Sequence, residues 1–181
     1  MRRTDELDSG RILLGIDPGL RITGYGLIRC APGVLTHLHH GALRTNAGDR
    51  PARLVQIHDC IGDLLDTWNV DEVAVEKQFV ALNTSSAFVI GEARAAAMLA
   101  AAQRGLPIFE YTPAEVKQAV TSYGRSSKQQ IQEMVRLQFA LSAAPQPADA
   151  ADGLAIAICH AARRTLAAAV LSQATPRPVR G

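Results

Sequence analysis

The sequence predicts an α/β fold: a five-stranded mixed sheet covered by helices on both faces. Three observations lead there. Three apolar, strand-like segments follow one another in the first 45 residues, with linkers too short for a crossover helix, so they form an antiparallel meander. From Leu54 the apolar residues recur at intervals of three and four instead of in short runs, the period of a helix. Beyond that point strand and helix segments alternate, as βα units do when they extend a sheet with parallel strands.

Residues 1–10 are polar and are expected to form a mobile extension. RILLGID (11–17) is a short apolar run closed by Asp-Pro-Gly and reads as a buried strand. TGYGLIRC (23–30) and VLTHLHHGALRT (34–45) read as the second and third strands. Leu54, Ile57, Ile61, Leu64, Leu65 and Trp68 line one face of a helix, with Asp49 near its cap and Pro51 in its first turn. DEVAVEKQ (71–78) is the fourth strand and FVALN (79–83) a loop. A long Ala-rich helix runs from Thr84 to Arg104, and Gly105 is placed to end it. LPIFEYT (106–112) is the fifth strand. Thr112 and Pro113 start a short helix that Gly124 ends, and Ser126 with Gln129 has capping-box spacing for the next, through Phe139. After the linker SAAPQP, a last helix runs from Ala148 to Val170. Residues 172–181, rich in Pro and Arg, read as a disordered tail, which leaves 11–171 as a single domain.

With 48% hydrophobic residues the chain is too apolar for intrinsic disorder. A net charge of +2 neither demands nor excludes a nucleic-acid partner, so charge placement must decide. Cys30, Cys60 and Cys159 are odd in number, far apart and without a CxxC, which points away from zinc and disulfides and toward a reducing cytoplasm. The N-terminus lacks the apolar core of a secretory signal, and no uncharged apolar run approaches 18 residues, so no membrane association is expected.

Four carboxylates stand out. Asp17 ends the first strand, where turn chemistry alone would explain it. Glu76 comes late in a strand that looks central, where a charge needs compensation unless it reaches solvent or pairs with Lys77. Asp149 and Asp152 are spaced i, i+3 on one face of the first turn of the last helix. The helix dipole accounts for one acid there, worth roughly 0.3–1 kcal/mol, while a second on the same face adds repulsion. The next positions on that face, Ile156 and Cys159, are apolar. A cation would offset the repulsion, and an all-oxygen set suits Mg²⁺ or Mn²⁺. Two such ions can clamp the attacking and leaving oxygens of a phosphodiester.

Other features weigh less. Lys117, Arg125 and Lys128 surround a helix–turn–helix segment and read either as solvated faces or as a phosphate-contacting strip. Phe79 follows Glu76 in a loop, as a residue folded onto the core or as a wedge between bases. The histidines of HLHH (37–40) do not read as a metal site, since His37 and His39 share one strand face and His40 points the other way. His160 lies too far along its helix, roughly 16 Å from Asp149, to join the same ions. The helix from Thr84 to Arg104 is apolar nearly all round and is expected to be buried, in the core or against a twofold mate.

These residues resemble the RuvC family of bacterial Holliday-junction resolvases, which has the ribonuclease-H-like fold. The matching segments are GIDPGLRITGYG (15–26), VAVEKQF (73–79), GEARA (91–95), FEYTPAEVKQAV (109–120) and ADAADGLAIAICH (148–160), in the family's order. The resemblance implies four metal-binding acids at Asp17, Glu76, Asp149 and Asp152, in a crossover junction endodeoxyribonuclease that uses Mg²⁺ or Mn²⁺, two ions per active site. It implies a junction-probing phenylalanine at Phe79, catalytic and DNA-binding lysines at Lys117 and Lys128, and Arg125 as a further DNA contact. It also implies four-way junction DNA, a homodimer and the RuvA–RuvB branch-migration complex as partners. Gly153 departs from the family, standing where alanine is more usual, a mild local loss of helix propensity. Lys77 is expected close to the acids. Two other functions remain open to the sequence. A sugar-kinase or actin-like phosphate-binding domain opens with a similar strand, Asp, Gly and hairpin, although such folds need a second lobe. A non-catalytic junction-binding module would not need four intact acids.

Overall fold

The computed structural model describes residues 10–46, 48–77, 84–122 and 126–174. The chain order is β1 (Arg11–Asp17), β2 (Ile22–Ala31), β3 (Val34–Arg44), α1 (Arg50–Trp68), β4 (Glu72–Glu76), α2 (Thr84–Ala102), β5 (Ile108–Tyr111), α3 (Pro113–Thr121), α4 (Lys128–Gln138) and α5 (Ala148–Ala174). The strands lie in the order β3-β2-β1-β4-β5. The meander pairs antiparallel, while β4 pairs parallel with β1 and β5 parallel with β4. The mixed sheet expected from the sequence is therefore the one observed.

Each face of the sheet carries its own core. Leu14, Ile16, Leu27, Val73 and Val75 pack with Ile57, Ile61, Ala93 and Ala97 of α1 and α2. Leu13, Ile28 and Ala74 point the other way, into Leu154, Ala155, Ile156 and Ile158 of α5, with Val116 of α3 and Ile131 of α4 outside them. The alternation follows from the period-2 side-chain direction of a strand. Helix α5 is long and apolar enough over 148–170 to cross a membrane, yet half of that window is buried in the protein. It is the central helix of this second core.

Local chemistry sets the helix ends. The Asp49 side chain accepts from the Ala52 N–H at 3.0 Å, and Pro51 fills the first turn of α1. Gly105 takes a left-handed φ of +67° after α2, and its N–H donates to the Ala102 carbonyl at 3.0 Å. Thr112 and Glu115 form a reciprocal capping box for α3.

Several expectations need correction. The capping box of α4 uses Ser127 and Gln130, one residue later than Ser126 and Gln129. Ser126 is turned inward, its Oγ 2.5 Å from Thr121 Oγ1. Helix α3 stops at Thr121 with Ser122 in the left-handed conformation, before Gly124, which lies outside the described residues. Helix α5 runs past Val170 to Ala174. In β3 a register shift opposite Leu27 and Ile28 reverses the alternation, so that His37 and His40 meet, Nε2 to Nδ1 at 2.7 Å, while His39 turns to Tyr25 and Trp68. Helix α2 is buried on one side only: Phe88 is 73% and Leu99 53% exposed.

Candidate active site

Strand β1 ends at Asp17 and its parallel neighbour β4 ends at Glu76, so both carboxylates emerge at the same edge of the sheet. Open α/β sheets bind ligands at that edge, outside the carboxyl ends of their parallel strands. Helix α5 begins there too, and brings Asp149 and Asp152 on its first turns. What lets it come so close is missing side chains. A Cβ on Gly24 of β2 would collide with the Asp149 carbonyl, and one on Gly153 would lie 2.5 Å from the Tyr25 backbone. Gly153 therefore acts as a close-approach residue between helix and sheet, rather than simply as a weak helix former.

Carboxylate oxygens of Asp17, Asp149 and Asp152 lie within 4.8 Å of one another. Glu76 stands outside that tight group and lines the same cleft, with Asp17 and Asp152. The opposite wall carries Lys117 of α3 and Lys128 of α4, over a floor that includes Val116, Ile131 and Ile156. The cleft holds about 230 Å³, room for several waters at about 30 Å³ each. The Lys128 ammonium lies 2.7 Å from Asp152 Oδ2.

The electrostatics follow from this crowding. Burial, then the charges of Glu76 and Asp152, push the Asp17 carboxyl up to about 7, against a smaller opposing pull from Lys128. Burial, then Asp152, also raises Glu76, while Lys117 and Lys128 pull it down. Burial raises Asp152, and its bond to Lys128 works against that. The same bond raises Lys128. A bound cation would offset the repulsion among like charges held together in this partly buried site. The donor set is all oxygen, and so fits a hard divalent ion.

The structure thus brings together the four acids, Lys117 and Lys128. Phe79 and Arg125 lie outside the described residues. Lys77 is exposed; it helps to lower Glu115, and its N–H donates to the Tyr111 carbonyl at 2.7 Å. His160 stands apart from the acids, bonded to Glu72 and Tyr111. Nothing in the spacing of Glu72 foretold that pairing, because an acid at the start of a strand reads as solvent-exposed.

A mixed sheet with this strand order, and acids at the ends of β1 and β4 and the start of α5, defines a nuclease of the ribonuclease-H-like class. The model of the RuvC family, described as crossover junction endodeoxyribonuclease, matches residues 13–160, and the chain belongs to that family. A crossover junction endodeoxyribonuclease RuvC of Rubrobacter xylanophilus is 46% identical over 160 residues, 88% of this chain and 89% of the relative. One from Aeromonas salmonicida is 47% identical over 149 residues, 82% of this chain and 86% of the relative. The solved structure of Thermus thermophilus RuvC superposes with a TM-score of 0.79 at 32% identity, covering 86% of this chain and 96% of that one. The same protein in complex with a Holliday junction substrate gives 0.81 at 32% identity, covering 87% and 96%.

Proposed function

We propose that this chain resolves four-way DNA junctions by paired, metal-dependent phosphodiester hydrolysis during recombination and repair in the cytoplasm. The observation that carries the reading is the cluster of Asp17, Asp149 and Asp152, within 4.8 Å of one another beside Glu76. The junction bound to the Thermus relative supports the substrate.

Asp17, Glu76, Asp149 and Asp152 would hold Mg²⁺ or Mn²⁺, two ions per site. Bound there, the ions supply Lewis-acid activation of water and neutralise charge on the phosphate. The chain's own contribution is to fix the acids on rigid element ends, which limits the reorganisation needed during reaction. Lys117 and Lys128 face them across the cleft and stabilise negative charge on the scissile phosphate. Lys128 exchanges its bond with Asp152 for that role when cations enter. Phe79 serves as the wedge at the strand-exchange point, and Arg125 as a phosphate contact. Water attack at phosphorus, with release of the 3′-hydroxyl, leaves a ligatable 5′-phosphate.

A junction with near-twofold symmetry and two symmetric cuts calls for a C2 homodimer. The groove between α1 and α2 suits a second copy. Leu54, Val55, Ala95 and Leu99 make it apolar, and Glu92 Oε2 is buried beside it with no partner among the described residues. The RuvA–RuvB branch-migration complex is the proposed further partner.

The test is cleavage of a synthetic four-way junction, a duplex and a flap, each with Mg²⁺ or Mn²⁺. Junction cutting that requires the metal is expected, and equal cutting of duplex and junction would refute the structure-selective reading.

A further inference from the structure

A second polar cluster lies buried on the sheet face that carries the site. Glu72 opens β4 and His160 sits midway along α5, only 6% and 1% exposed in a layer that is otherwise apolar. The His160 ring is bonded at both nitrogens, with Nε2 2.8 Å from Glu72 Oε2 and Nδ1 2.8 Å from the Tyr111 hydroxyl. Burial holds the imidazole below its ordinary range, and burial pushes the Tyr111 hydroxyl up to about 12. The ring is therefore neutral and the phenol protonated. One tautomer satisfies every group: Nε2–H donates to the carboxylate, and Nδ1 accepts from the phenol. The other Glu72 oxygen takes Arg164 Nε at 3.1 Å and the Arg11 guanidinium at 3.4 Å.

Position gives this cluster its meaning. Glu72, Ala74 and Glu76 alternate onto one face of β4, so Glu72 lies about 13 Å behind Glu76. Asp152, Ile156 and His160 recur every four residues along α5, so His160 lies about 12 Å behind Asp152. Helix and strand run antiparallel, for Asp152 and Glu76 share the cleft at one end while His160 and Glu72 share a hydrogen bond at the other. The two spans match. Between them lie Ala74 and Ile156, members of one apolar cluster, and apolar contacts are non-directional. Tyr111 adds a third anchor, because it is the register partner of Glu76 across β4 and β5.

We infer that Glu72, His160 and Tyr111 form a positioning clamp, which sets the axial register of α5 against β4 and so holds Asp149 and Asp152 opposite Glu76. The inference rests on the metal-site reading proposed above. His160 touches neither the acids nor the cleft; it acts through the helix.

The test is Mn²⁺ binding to the full chain without DNA, read by electron paramagnetic resonance of the free ion, with folding followed by circular dichroism. Glu72→Gln keeps an acceptor for His160 and is expected to bind Mn²⁺ within about twofold of wild type. Glu72→Met keeps the length and loses the acceptor, and about tenfold weaker binding is expected, as for groups that orient metal ligands from behind. Tyr111→Phe deletes one oxygen and opens no cavity; about threefold weaker binding is expected. A folded Glu72→Met protein that binds Mn²⁺ like wild type overturns the clamp, as does an equal loss in Glu72→Gln. Should Glu72→Met not fold, wild-type binding by Tyr111→Phe overturns it instead. A wild-type chain that binds no Mn²⁺, or an Asp17→Asn chain that binds it equally well, overturns the metal-site reading itself and is thus told apart from failure of the clamp alone.

Discussion

Asp17 shows the conflict between stability and function most clearly. Its carboxyl is raised from 3.8 to about 7 by burial and by the neighbouring acids. Between those values the folded chain holds a proton that the unfolded chain has lost. Stability therefore falls as pH rises through that window. Glu76 and Asp152, also raised, act with the same sign. Lys128, raised by its bond to Asp152, titrates above 10.5 and does not enter the window. Below about pH 6.5 the lowered imidazoles of His37, His40 and His160 act with the opposite sign. The metal-free melting temperature is thus expected to drop between about pH 6.5 and pH 8, while saturating Mn²⁺ opposes the drop by binding the ionised form. Calorimetry at four or five pH values checks this, and a flat metal-free profile would contradict it. Asp17→Asn removes the charge at little change in shape. At pH 8 without metal that variant is expected to be more stable by on the order of 2 kcal/mol. It should bind the junction and fail to cut it; full cleavage with Mg²⁺ or Mn²⁺ would sink the scheme.

At the scale of elements, the seating of α5 on β1 and β2 decides where the acids stand, and Gly153 is its tightest point. Alanine there would gain about 1 kcal/mol of helix propensity. Its Cβ would also meet the Tyr25 backbone at 2.5 Å, and forced overpacking costs about 1–3 kcal/mol. Gly153→Ala is therefore expected to lower stability by about 1 kcal/mol and to weaken Mn²⁺ binding as α5 lifts, measured by urea unfolding and by the resonance titration. A stability gain would show that the helix yields freely. Asp149 and Asp152 stood out by their i, i+3 spacing on one helix face, whereas Asp17 read as turn chemistry and Glu76 as equally explained by solvent or Lys77, so the resemblance was needed to join the four. The capping box of α4 was ambiguous in SSKQQ, where two serines precede two glutamines and only the inward turn of Ser126 selects Ser127. The faces of His37 and His40 were not legible, because a bulge arises from the pairing of two strands and leaves no mark in one of them. The Glu72–His160 bond joins residues 88 positions apart, beyond the reach of any periodicity.

For the whole molecule, the open question is how one site per chain makes two matched cuts. The face of α2 turned away from the core presents Phe88, Glu92, Ala95 and Leu99 at helical spacing, next to Val55 of α1. Burying such a stripe against its twofold copy removes apolar surface at roughly 25 cal/mol per Å². A charge placed at its centre would be desolvated on both sides of the axis at once, and would face Glu92 as well. Leu99→Glu is half exposed in the single chain, so folding should survive, whereas association should not. Sedimentation is expected to give a monomer for this variant and a dimer for wild type at the same concentration. On a supercoiled plasmid carrying a cruciform, wild type is expected to make both cuts within one complex and to yield linear DNA. The monomeric variant retains its acids, and should release nicked circles, because its second cut requires an independent encounter. Linear product from a monomeric Leu99→Glu chain at the wild-type rate would place the pairing of the cuts somewhere other than the α1–α2 face.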